Sequence, residues 1–220
     1  MRREPASLSD WIDWLRSIGC VFYMDSSDGD PRDQINNVPL TLSGNGVFVY
    51  DGTKHAFYCK TPSSANQHIG IWNNGMSQNT FANDNWTSIN VMEAITKMNG
   101  KYLPSFGVNT SNRDYASQFC TFYNMSNKVA NFPNGKFTTA TVYNYDVFMR
   151  YFYQNGSLYR SNRYNTNHQP SNWVLNSNGT CLGNVCDVGY DADIEWYAYR
   201  TAIFNTVLDL DTINAIINHN

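Results

Sequence analysis

The sequence predicts an all-β fold, a two-sheet antiparallel sandwich of jelly-roll type, with a short amphipathic helix at the N-terminus and a short helix near the C-terminus. Three observations carry this. Short apolar runs recur along the chain, of a length that suits strands rather than helices. Between them stand Asn-Gly pairs that begin at Asn45, Asn74, Asn99, Asn134, Asn155 and Asn178, and Asp-Gly pairs that begin at Asp28 and Asp51. Both residues of such a pair tolerate positive φ, which a tight hairpin turn needs if its twist is to match the strands it joins. Finally, 220 residues at 42% hydrophobic content suffice for one sizeable core. One sandwich domain over 20–220 is expected behind a helix within 1–19.

The elements follow in order. Leu8, Trp11, Trp14, Leu15 and Ile18 recur at helical spacing, Ser7 and Asp10 form a capping pair, and Gly19 can end the helix. Such a helix either packs on its own domain or serves as an anchor through Trp11, Trp14, Leu15 and Ile18, since two tryptophans on one short helix make a large docking surface. Strands are expected over 20–24, 38–42, 46–50, 56–60, 68–72, 118–123, 136–144, 146–154, 157–161 and 192–200. The clearest hairpin joins Val147-Phe148-Met149-Arg150-Tyr151-Phe152-Tyr153 to Ser157-Leu158-Tyr159-Arg160 through Gln154-Asn155-Gly156. Helical segments are expected over 90–98 and 210–218, the second with Leu210, Ile213, Ile216 and Ile217 on one side.

Composition narrows the function. With 15 Lys+Arg against 18 Asp+Glu the net charge is -3, which gives no electrostatic footprint for nucleic acid. No apolar run reaches the roughly 18 residues of a membrane-spanning helix. Solubility rests on amides, with about 30 asparagines interleaved among Tyr, Phe, Val and Ile, a mixture that can fold. Five scattered cysteines argue against a full disulfide framework; Cys181 and Cys186 could close a small loop. The N-terminus lacks the apolar stretch of a Sec signal peptide, so a cytoplasmic protein before assembly is expected.

In the C-terminal third, Phe152-Tyr153-Gln154-Asn155-Gly156-Ser157-Leu158 and Asp193-Ile194-Glu195-Trp196-Tyr197-Ala198-Tyr199 resemble the strand, Asn-Gly, strand hairpin and the final strand of the laminin-G-like, concanavalin A-like lectin/glucanase jelly rolls. Leu208-Asp209-Leu210-Asp211-Thr212-Ile213 resembles the closing helix, and Val47-Phe48-Val49-Tyr50-Asp51-Gly52 an early strand. The resemblance spans roughly 21–218 and implies a fold that hosts lectins, adhesion domains and hydrolases, so function rests on the site.

The main reading is a non-catalytic lectin-like module that binds glycans or cell-surface polysaccharide. Sugar recognition needs flat aromatic faces and amides that both donate and accept, and Trp72, Asn74, Trp86, Tyr164, Asn167, His168 and Trp173 offer both, against core packing as the bland role of each Trp. A purely structural virion decoration protein is the first alternative, with the N-terminal helix holding other virion or surface-assembly proteins, or further copies in a homo-oligomer. Lack of a Sec signal and an Asn-rich, Lys-poor composition fit a bacteriophage particle used in host attachment. The second alternative is a laminarinase-type glycoside hydrolase, because Asp191-Ala192-Asp193-Ile194-Glu195 resembles that branch's acidic strand. In a strand Asp191, Asp193 and Glu195 share a face, yet the outer pair overshoots the roughly 5 Å that retaining chemistry needs. Asp25, Asp28 and Asp30 gather in one loop and could hold a structural calcium, with a solvated acidic turn as the alternative. No other cofactor is expected.

Overall fold

The computed structural model describes residues 7–42, 46–61, 68–76, 80, 85–95, 106–110, 135–144, 147–165, 175–183 and 195–219. Their strands are β1 (Cys20–Asp25), β2 (Thr41–Leu42), β3 (Val47–Asp51), β4 (Ala56–Lys60), β5 (His68–Trp72), β6 (Asn85–Ala94), β7 (Phe106–Thr110), β8 (Phe137–Asn144), β9 (Val147–Gln154), β10 (Ser157–Asn165), β11 (Leu175–Gly183) and β12 (Glu195–Phe204). Two helices, α1 (Leu8–Ser17) and α2 (Leu210–Ile217), flank them. The strands form two antiparallel sheets. The large one runs β10-β9-β8-β6-β12-β4-β3, with β1 beside the second half of β12, and the small one runs β2-β5-β11-β7.

The two sheets close over an aromatic core of Phe22, Phe57, Trp72, Trp86, Phe137, Tyr143 and Trp196. A second apolar layer lies on the outer face of the large sheet, where Trp11, Ile12 and Leu15 of α1 and Ile213 and Ile216 of α2 meet Tyr23, Ile89, Ala140, Val142, Tyr153, Ala202 and Phe204. The helices therefore act as a partial third layer. Burying Leu15 and Ile213 completely contributes about 1.5–3 kcal/mol each. Ser7 caps α1 by accepting from the Asp10 amide at 3.2 Å, and Asp209 caps α2 by accepting from the Thr212 amide at 2.7 Å.

The Asn155-Gly156 turn is the two-residue hairpin the sequence predicts: Gln154 pairs with Ser157, and φ is 51° at Asn155 and 73° at Gly156. The helix expected over 90–98 is corrected by the structure, because residues 90–94 continue β6 between β8 and β12. Met92-Glu93-Ala94 favours helix locally, but hydrogen-bonded neighbours on both sides override that preference. Asn178-Gly179 is likewise no turn. It sits within β11, where a Cβ on Gly179 would run into the Trp72 carbonyl oxygen, so glycine lets two strands approach. The strand expected over 118–123 lies outside the described residues.

Candidate functional site

Where the helices stop, no other described helix or strand covers the outer face of the large sheet. The pairing aligns Val49, Tyr58, Tyr197 and Glu93 in one cross-strand row over β3, β4, β12 and β6, with Val47, Lys60 and Glu195 in the row beside it. Val49 is 56% exposed, and Tyr58 and Tyr197 are half-buried with ring centroids 5.7 Å apart, edge to face. Lys54, from the turn between β3 and β4, rests 4.6 Å above the Tyr197 ring and pairs with Glu93 at 2.7 Å. The Lys54 hydrogen bond holds the Glu93 carboxyl below the usual carboxylate range. Lys60 does the same to Glu195 across a 3.1 Å ion pair.

One irregularity turns this face into a cleft. Strand alternation directs Trp196 and Ala198 into the core and Tyr197 outward, but the β6–β12 register slips between Ala198 and Arg200. After the slip Ala202 and Phe204 point outward and Ile203 inward. The extra residue puts Tyr199 and Arg200 side by side at one rim, as β-bulges do near functional sites. The resulting cleft of about 600 Å³ is bordered by both residues, by Asp25 of β1, Lys54, His55, Lys136, Tyr153, Asn155 of the hairpin turn, and Asn218 and His219 beyond α2.

Its electrostatics are largely internally paired. Arg200 donates from Nε to Asp25 Oδ2 at 2.6 Å and from Nη1 to the His219 carbonyl at 2.8 Å, the second bond answering the negative end of α2. Burial alone would raise the Asp25 carboxyl, but the Arg200 guanidinium and the Ser27 amide outweigh it and hold it below the ordinary range. Tyr199 donates to Glu93 at 2.9 Å, and burial with that carboxylate pushes its phenol up. Lys136 lies 4.3 Å above the Tyr199 ring. Partial burial and the nearby Arg200 pull its ammonium below the usual amine range.

Of the sequence-derived glycan-binding residues, Trp72 and Trp86 are both 0% exposed in the sandwich core. Trp72 donates to the Pro31 carbonyl at 2.6 Å, and Trp86 stacks on Tyr143. Neither presents a face to solvent: each is a core residue, because its alternation position points between the sheets. Asn74 donates to Asp33 of the loop after β1 and to Thr180 of β11, a structural role in tying that loop to the small sheet. Asn167, His168 and Trp173, and Asp191 and Asp193, lie outside the described residues, as does the side chain of Tyr164. The Cys181–Cys186 pairing also falls outside them.

The acidic loop does not converge. Asp25 faces Arg200, Asp28 accepts from the Asp30 amide, and Asp30 pairs with Arg32 at 3.2 Å; among the described residues no group of three His, Cys, Asp or Glu side chains gathers. In α1, Trp11, Ile12 and Leu15 are buried on the sheet, Trp14 and Ile18 are half-buried beside them, and Leu8 is 63% exposed. The residues the sequence reading passed over are Tyr58, Tyr197, Lys136 and Arg200. Alternation in Glu195-Trp196-Tyr197-Ala198 signals that Tyr197 opposes the core, whereas the bulge leaves no trace in residue pattern.

No family model matches the sequence, and no curated protein matches it either. Among solved structures, the chain is similar to the binding domain of botulinum neurotoxin serotype D/C, with TM-score 0.57 and 15% identity over 91% of this chain and 52% of that one. A structure of the same toxin's binding domain in complex with SialylT gives TM-score 0.54 and 15% identity over 91% and 51%. Trypanosoma rangeli sialidase in complex with sialic acid gives TM-score 0.57 and 13% identity over 90% and 32%. The chain thus spans about half the length of the toxin domains and about a third of the sialidase. At these identities the likeness establishes the fold, a β-sandwich of the architecture found in these proteins.

Proposed function

We propose that the chain is a non-catalytic glycan-binding module that lays a saccharide across Tyr58 and Tyr197 and into the adjoining cleft. The observation that carries this is the half-buried Tyr58–Tyr197 pair on the outer face of the large sheet, beside a polar cleft. Aromatic faces suit the C–H surfaces of pyranose rings, and Asn155 and Asn218 at the rim can both donate to and accept from hydroxyls. That similar folds occur in structures solved with SialylT and sialic acid supports the reading. A proton-donor role for Glu195 fits less well, since a carboxyl held ionised by Lys60 is a poor general acid.

The test is a glycan array followed by titration of the best hit. Tyr58→Ala with Tyr197→Ala should weaken that hit at least about tenfold, as loss of aromatic anchors does. No array signal at high protein concentration would leave a purely architectural role standing. Cleavage of β-glucan that disappears in Glu195→Gln would overturn the non-catalytic assignment. We further propose that the module serves in a phage head or tail appendage, or in a cell-surface assembly, for host attachment. The Asn-rich, Lys-poor composition supports this placement, and the neighbouring genes test it: portal or capsid genes beside this one are expected, and a metabolic operon would contradict it.

A further inference from the structure

Three cations, Lys54, Lys136 and Arg200, border the cleft. Two carboxylates answer two of them, Glu93 for Lys54 and Asp25 for Arg200. Lys136 makes no ion pair among the described residues, and its one described contact is the Tyr199 ring. A cation held over an aromatic ring, with a second cation near, is in an environment that an incoming anion improves. Arg200 spends Nε and Nη1 on Asp25 and His219, which leaves Nη2 with no partner among the described residues.

An independent observation comes from another residue of the lining. Tyr153 borders the same cleft, is 2% exposed, and its hydroxyl has no hydrogen-bond partner among the described residues. A buried unpartnered hydroxyl carries a desolvation cost that an acceptor from a ligand would relieve. One ammonium, one guanidinium N–H and one phenol O–H without partners among the described residues are all donors, carried by residues that border one concavity. The acceptors there, Asp25 above all, are already engaged by Arg200 and Ser27.

Resting on the glycan-binding reading above, we infer that this cleft is an oxyanion subsite that reads the anionic substituent of an acidic sugar, with Lys136 as its principal ligand and Arg200 and Tyr153 as supporting donors. Carboxylate and sulfate ester share the chemistry, since each offers delocalised acceptor oxygens to charged donors. Neutral saccharides reach only the tyrosine platform and the rim amides. The anionic group therefore adds affinity and fixes the direction in which the chain of sugars lies on the sheet.

The experiment is calorimetric titration of the whole protein with four probes: 3′-sialyllactose, its carboxyl methyl ester, lactose 6′-sulfate and lactose. The ester keeps the shape of the acid and removes its charge. Sialyllactose is expected to bind at least about tenfold more tightly than its ester, a difference of about 1.4 kcal/mol. Lys136→Met, which keeps an aliphatic stem over Tyr199, should bring that ratio close to one. Tyr153→Phe should cut the ratio several-fold while the protein melts at or above the wild-type temperature, because the hydroxyl it removes has no partner to lose. An advantage confined to the carboxylate or to the sulfate supports the subsite and identifies its source. Equal affinity for acid, ester and lactose overturns the subsite but leaves glycan binding intact, as does an undiminished acid preference in Lys136→Met. Absence of binding to all four refutes the glycan-binding reading and the subsite with it.

Discussion

Replacing Asp25 with Asn isolates the ion pair that fixes the cleft floor. Asp25 Oδ2 and Arg200 Nε are 2.6 Å apart, and their side chains are only 14% and 18% exposed. Removing one partner of a buried pair costs about 3–5 kcal/mol, because the other charge stays buried without its counter-ion. Asn retains an acceptor for the Ser27 amide, which places the expected loss near the lower end, about 3 kcal/mol. In a chain of this size each kcal/mol moves the melting temperature by about 2–4 °C, so the variant should melt roughly 6–12 °C lower at pH 7. The pH dependence follows from the direction of the shift. The folded state holds the Asp25 carboxyl below its unfolded value of about 3.9, so its contribution is present above that pH and is lost as pH falls through the lower, folded value. The gap between wild type and Asp25→Asn should therefore begin to close as pH falls below about 3.9 and should vanish only below the lower, folded value. Adding Arg200→Gln to Asp25→Asn should cost less than the two single changes combined. A gap below 1 °C at pH 7, or one that persists unchanged at acid pH, would refute the reasoning.

Three further outcomes are expected. Gly156→Ala forces a Cβ into the left-handed region and to 2.7 Å from Asn218 Oδ1, so it should lose about 1–2 kcal/mol by thermal melting, and Asn218→Ala in the same chain should recover part of it. Leu15→Ala empties a fully buried site under α1 and should lose about 3 kcal/mol; a shift within error would mean that α1 is not part of the folded sandwich. Trp72→Phe deletes the donor to the Pro31 carbonyl and should lower stability by about 2 kcal/mol without changing glycan affinity; weakened binding in a normally folded protein would return Trp72 to the site.

Much of the architecture was legible because period-2 patterning and turn chemistry act locally. The bounds of β4 and β5 match the expected 56–60 and 68–72, and Asn155-Gly156 makes the expected turn. Failures arose where tertiary pairing decides. Met92-Glu93-Ala94 are helix formers, yet residues 90–94 are held as β6 by strands on both sides. Asn178-Gly179 reads as a turn, but Gly179 answers a close backbone approach instead. The site was the least legible part. Tryptophan is conspicuous in sequence, but Trp72 and Trp86 follow the inward alternation and fill the core, while the rings left outside are the plainer Tyr58 and Tyr197. Arg200 reaches the cleft through a one-residue slip in β12, and Lys136 stands just before β8 with nothing in its neighbours to mark it. Both depend on which strands are adjacent, and strand order is set by contacts distant in sequence.

The most direct test of the account is chemical-shift mapping of the isotope-labelled protein titrated with 3′-sialyllactose. The account predicts that the backbone amides of Tyr58, Tyr197, Tyr199, Arg200, Lys136 and Asn155 move together, tracing the outer face into the cleft. Shifts confined to the small sheet of β2, β5, β11 and β7, or to the helix-covered half of the large one, would contradict it.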